Sequence, residues 1–123
     1  MKVTIIGSFQ KNMEEIRNVM HLFITNGYTI LSPGVDMEIS PASTFLYVSE
    51  RPIKNIKSAI ANSDFVYLVN SNGYVGTKTT EEIEHANAIE KPIYALEKTN
   101  TPELEKFNIM HIHPEELLQK LRS

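Results

Sequence analysis

Five consecutive apolar residues, Phe65-Val-Tyr-Leu-Val69, offer no polar side chain to either side of a strand. A strand of that kind is buried on both faces, and such strands belong to parallel sheets flanked by helices. The rest of the chain is consistent with that demand. Val3-Thr-Ile-Ile6 is β-branched throughout and reads as a first, central strand closed by Gly7-Ser8-Phe9. Asn12 reads as a helix cap with Glu14 and Glu15 in the first turn. Ile16, Val19, Met20 and Phe23 follow at helical spacing as the buried stripe, and Asn26-Gly27 is the stop.

Tyr28-Thr-Ile-Leu31 is the second strand, closed by Ser32-Pro33-Gly34. Residues Pro33 to Glu50 show no period and read as a long loop carrying Asp36, Glu38, Phe45 and Tyr47. Pro52 suits a first helical turn, and Ile53, Ile56 and Ile60 supply its stripe. Pro92-Ile-Tyr-Ala-Leu96 is the fourth strand, Glu97 to Asn108 a polar loop, Ile109-Met-His-Ile112 a short edge strand, and Pro114 to Arg122 a last helix.

Strand and helix alternate throughout, which predicts an α/β fold with right-handed crossovers. The expected architecture is one domain over residues 1–123: a three-layer sandwich with a four- to five-stranded, mostly parallel sheet, Rossmann-like or flavodoxin-like. With strand order 2-1-3-4, the switch point falls between the first and third strands. Gly7-Ser8-Phe9 and Asn70 to Gly76 would then face each other across one crevice.

Composition bounds the function. With 123 residues, 41% hydrophobic and 22% charged, the chain is of ordinary globular make-up. A net charge of −3 argues against a nucleic-acid backbone or an anionic membrane as partner. No cysteine is present, so disulfides and thiolate metal sites are out. No apolar run approaches the roughly 18 residues of a membrane span, and the apolar start is too short for a signal peptide, so the expectation is cytoplasmic.

The stretch from Ser71 to Ala86 follows the buried strand and is where ligand chemistry is expected. Gly73 and Gly76 allow positive φ or close approach of a ligand. Thr77, Thr79 and Thr80 bring hydroxyls and free N–H groups to a helix start, which suits an anion. No Gly-x-Gly-x-x-Gly or Walker-type motif occurs, and the same residues serve equally as ordinary loop and cap. Glu82 has two readings. A carboxylate at a cleft mouth is a nucleophile or general base. Thr79-x-x-Glu82 also fits a capping box, in which Glu82 would bond back to the Thr79 backbone; a helix starting at Thr77 would release it. Glu81 and Glu84 read as solvated.

The pattern Gly73-Tyr-Val-Gly76, Thr79, Glu82-Ile-Glu-His-Ala86 and Lys91-Pro92-Ile93 resembles the nucleoside 2-deoxyribosyltransferase-like superfamily, which includes deoxynucleoside 5′-monophosphate N-glycosidases. Gly7-Ser8-Phe9 is similar to that family's first loop, and Ser63-Asp64 to its Ala-Asp pair. The resemblance implies cleavage or transfer of an N-glycosidic bond without a cofactor or metal, on a small-molecule nucleoside or nucleotide, in a homodimer or larger homo-oligomer. It makes Glu82 the nucleophile and places Gly7, Ser8, Phe9, Asn70, Gly73, Tyr74, Gly76, Thr77 and Thr79 around the substrate. Active members carry an acid that assists the leaving base. Here Ile53-Lys-Asn-Ile-Lys-Ser-Ala-Ile60 has none, and no aspartate occurs over residues 72–80; Asp36, Glu38 or Glu50 are the substitutes at hand. His85 stands where the family has tyrosine. The departure leaves a catalytically silent nucleotide-binding domain as the alternative.

Other candidates have plainer readings. His111-x-His113 is more economically a polar tail than a metal pair. His21 and His85 read as packing or surface residues, Asp36-x-Glu38 as loop solvation, and Asp64 as structural.

Overall fold

A computed structural model describes residues 1–32 and 54–122. Its elements are β1 (Lys2–Gly7), α1 (Phe9–Thr25), β2 (Thr29–Ser32), α2 (Lys54–Asn62), β3 (Phe65–Val69), α3 (Thr77–Ala88), β4 (Ile93–Ala95), β5 (Ile109–His111) and α4 (Pro114–Arg122). Short 3-10 turns occupy Ser71–Gly73 and Pro102–Leu104. The expected long loop with Asp36, Glu38, Phe45, Tyr47 and Glu50, together with Pro52 and Ile53, lies outside the described residues.

The five strands form one sheet in the order β2-β1-β3-β4-β5, with every pairing parallel. All five residues of β3 are buried. Because strand side chains alternate, Phe65, Tyr67 and Val69 face one core and Val66 and Leu68 the other. On the first face α1 contributes Ile16, Val19, Met20 and Phe23, and α4 contributes Leu117 and Leu118. On the second, α2 brings Ile60 and α3 brings Ile83 and Ala86. Aromatic rings fill the first core: Phe23 meets Tyr67 edge-on at 5.6 Å, and Phe65 meets Tyr94 at 5.5 Å. Phe23, Phe65 and Tyr67 are fully buried, which contributes about 1.5–3 kcal/mol each, while Tyr94 is partly buried.

Several buried polar groups next to the sheet are paired. Ser63 Oγ donates to the Ala59 carbonyl at 2.7 Å, so its 2.6 Å contact with Thr4 must be a bond donated by the threonine. Tyr67 donates to the Ile112 carbonyl at 2.7 Å, and burial pushes its hydroxyl pKa up. Asp64 accepts the Lys2 backbone N–H at 2.7 Å, the structural role expected of it.

One local expectation is corrected. α1 starts a turn before Asn12, and its cap is Ser8, whose hydroxyl accepts the Lys11 N–H at 3.4 Å. Glu14 and Glu15 therefore fall beyond the first turn. Asn12 has non-helical φ and ψ (−124°, 24°) and marks a kink. Its side chain donates to the Val69 carbonyl at 3.2 Å instead of capping. The end of α1 is as expected, with Asn26 at the cap and Gly27 at φ +85°.

Candidate active site

The strand order reverses between β1 and β3, so α1 leaves toward one face and α3 toward the other. This switch point, where a sheet of this kind is expected to hold its ligand crevice, lies at the carboxyl ends of these two strands. Gly7 closes its floor. It pairs with Val69, and a Cβ at Gly7 would stand 2.5 Å from the Val69 carbonyl oxygen. Asn12 reaches over from α1 to the same carbonyl. Gly7, Ser8 and the first residue of α1, Phe9, thus border the turn that follows β3, as the sequence predicts.

That turn is built by local and distant bonds together. The Gly73 N–H donates to the Asn70 carbonyl at 2.8 Å, and Asn72 sits in the left-handed region at φ 62°. Asn70 is buried, and its amide is engaged twice with one residue beyond β4. It donates to the Glu97 carbonyl at 2.8 Å and accepts the Glu97 N–H at 2.9 Å. The Glu97 carboxylate accepts the Asn72 N–H at 3.0 Å. Asn100 donates from its side chain to the Asn72 carbonyl at 3.2 Å and from its backbone to the Gly73 carbonyl at 3.3 Å. Gly73 has φ +76°, and a Cβ there would meet the Lys98 carbonyl at 2.8 Å. Its glycine is therefore required by the neighbouring backbone, whatever a ligand requires. Gly76 has an ordinary negative φ; its small size makes room for the Tyr74 hydroxyl, 3.2 Å from where a Cβ would stand. Tyr74 is 41% exposed, with the Lys11 ammonium 4.7 Å from its ring centroid.

Gly76 caps α3, and the helix begins at Thr77. Thr80 returns both its N–H and its hydroxyl to the Gly76 carbonyl at 2.9 Å. Thr79 therefore lies inside the first turn, and the capping-box reading of Glu82 is overturned. The helix provides no partner for the N–H groups of Thr77, Lys78 and Thr79 in its first turn. Thr77 is exposed and Thr79 buried.

Glu82 shares the buried face of α3 with Thr79, Ile83 and Ala86 and is 6% exposed. No hydrogen bond or ion pair reaches its carboxylate from the described residues. Helical side chains lean toward the helix N-terminus, here the crevice end of the sheet. Burial pushes the Glu82 carboxyl up from 4.5 to about 7; Lys78, one turn before it, opposes the rise and Glu81 adds to it. Glu81 and Glu84 are exposed, as expected.

The remaining candidates lie elsewhere. His21, His111 and His113 are exposed, and His113 Nδ1 accepts the Glu115 N–H at 3.3 Å at the start of α4. Among the described residues no cluster of three or more histidine and acidic side chains could hold a metal. No helix among them is long and apolar enough to cross a membrane.

No family model and no curated protein matches the chain. Solved structures do. The CMP N-glycosidase BcmB of Clostridium botulinum is similar over 99% of this chain and 98% of its own, at 22% identity and a TM-score of 0.63. A 2-deoxyribosyltransferase from Bacillus psychrosaccharolyticus is similar over 96% of this chain and 90% of its own, at 14% identity and a TM-score of 0.56. Both fall in the nucleoside 2-deoxyribosyltransferase-like superfamily. At these identities the likeness establishes the fold, and it is the fold that the Gly73–Ala86 pattern implies.

Proposed function

We propose that this protein cleaves or transfers the N-glycosidic bond of a nucleoside or nucleoside 5′-monophosphate, with Glu82 as nucleophile. The observation that carries this reading is the position of Glu82: relieved of a capping role and buried on the same face of α3 as Ile83 and Ala86, in a helix that starts at the switch point. A desolvated carboxylate is costly to keep, and an amide or an apolar side chain would serve the fold better. Two solved proteins of the same fold bear the names of an N-glycosidase and a deoxyribosyltransferase.

The chemistry follows from the group. A carboxylate oxygen attacks the anomeric carbon, and the bond to the base nitrogen breaks with its electron pair leaving on the base, which takes up a proton. The sugar is then held as an ester of Glu82. Water attacking the same carbon releases the free sugar and restores the carboxylate; a second base in place of water completes a transfer. Gly7, Ser8 and Phe9 on one side and Tyr74, Gly76, Thr77 and Thr79 on the other surround the substrate in this reading. The N–H groups at the start of α3 suit an anionic substituent. Asn70 drops back to a supporting part, since its amide already serves the Glu97 backbone.

The test is incubation with a panel of ribo- and deoxynucleosides and their 5′-monophosphates, followed by chromatography for free base. The parent should release base, and Glu82→Gln should lose that activity by on the order of a thousandfold or more. An added acceptor base distinguishes transfer from hydrolysis. Since the nucleophile must be ionised and its carboxyl titrates at about 7, kcat/KM should climb with pH through that value to a plateau. Full activity in Glu82→Gln would discard the nucleophile. No release from any substrate, with a nucleotide still raising the melting temperature, would leave a binding module.

A further inference from the structure

The turn that launches α3 is held from outside the chain segment it belongs to. Five hydrogen bonds tie Asn70, Asn72 and Gly73 to Glu97 and Asn100. The Asn70 pair is buried at the end of β3, while Glu97 and Asn100 themselves are exposed. Nothing in the strand pairing requires this arrangement, because the ladder between β3 and β4 ends at Leu68 and Ala95. The bonds extend the join past the sheet, over the ends of the strands where the crevice lies.

We propose that Glu97 and Asn100 are positioning residues of the Glu82 site: by clamping the turn Asn70–Gly73 they set where Gly76 caps α3 and hence where the Glu82 carboxylate stands. The inference rests on the reading of Glu82 given above. Its physical basis is the register of the helix. Asn72 at φ 62° and Gly73 at φ +76° are two successive left-handed residues, an arrangement a free loop samples along with many others. The Glu97 carboxylate selects it by accepting the Asn72 N–H, and Asn100 selects it again through the carbonyls of Asn72 and Gly73. A helix start displaced from Gly76 to Thr79 would return Glu82 to the capping position that Thr79-x-x-Glu82 encodes. Glu97 acts here as a hydrogen-bond acceptor and not as an acid.

That distinction gives the experiment. Three variants, Glu97→Ala, Glu97→Gln and Asn100→Ala, are compared with the parent in base release and in amide hydrogen exchange of residues 70–80. Both positions are exposed, so melting temperatures should stay near that of the parent. Glu97→Ala should lower kcat by tenfold to a hundredfold, the scale of a misplaced reacting group, with a smaller change in KM. It should also speed exchange of the Asn72 amide by about tenfold, the worth of one such bond. Asn100→Ala should act in the same direction. Glu97→Gln keeps an acceptor oxygen and should recover most of both losses.

Fast exchange with unchanged kcat in Glu97→Ala would overturn the proposal, because the turn would then be free to move without consequence. Slow exchange with lost activity in Glu97→Gln would also overturn it, since Glu97 would be acting through its charge or proton. If the parent releases no base, the reaction assigned to Glu82 falls, and the exchange measurements alone decide whether the clamp exists.

Discussion

Glu82 is a carboxylate where the pattern of α3 has room for an apolar side chain, between Thr79 and Ile83 on the buried face. Its ionisation is linked to stability with a definite sign. Unfolded, the group titrates near 4.5; folded, at about 7. Below both values it is protonated in both states and adds nothing. Between them the folded chain keeps a proton that the unfolded chain releases, so stability falls as pH rises; above 7 the full penalty of about 3 kcal/mol applies. Glu82→Gln should therefore be more stable than the parent at pH 8, and the two should converge near pH 4. Chemical denaturation across that range measures it, and parallel curves for the two proteins would refute the buried ionisation. A variant that gains stability while losing activity is the expected mark of a reactive group held in an unfavourable place.

At the scale of elements, the crevice depends on how closely β1 and β3 approach at their carboxyl ends. Gly7, with φ +150°, lets the Val69 carbonyl come where a Cβ would collide at 2.5 Å. Gly7→Ala should cost roughly 3 kcal/mol or more, because the obstacle is backbone and cannot swing aside. A melting temperature within a degree of the parent would show that the strands can part there at little cost. The same junction explains the one helix start misread from local signals. Asn12 has the residue type of a cap and acids after it, but its amide is drawn to the Val69 carbonyl, and Ser8 takes the cap one turn earlier. The stop at Asn26-Gly27 needed no such partner and was legible as it stood.

At the scale of the whole molecule, the described residues form two apolar cores divided by one sheet, and β3 belongs to both. Neither face of a parallel sheet is stable uncovered, so the two cores should unfold together. Leu117→Ala removes a fully buried side chain that α4 presses against the first core and should cost about 2–5 kcal/mol. Unfolding followed by far-UV circular dichroism, which reports both helical layers, and by tyrosine fluorescence, to which Tyr28, Tyr67 and Tyr94 of the first core contribute, should share one midpoint that moves together in the variant. Separate midpoints would show that the layers are independent.

The chain by itself determined the alternation of strands and helices, the parallel sheet, and the burial of both faces of β3. These are properties of residues a few positions apart, where period and polarity are visible directly. The tertiary structure alone decided what Glu82 and Asn70 do. Glu82 carries the same local signature as a capping residue and as a free buried carboxylate, and the choice turned on α3 starting at Thr77. Asn70 has the look of a ligand contact and Asn12 that of a helix cap, but their partners lie 27 and 57 residues away. Glu97 and Asn100 lay in a loop with no period at all. A hydrogen bond between distant segments leaves no trace in the spacing of either, so only folding the sheet brought those groups together.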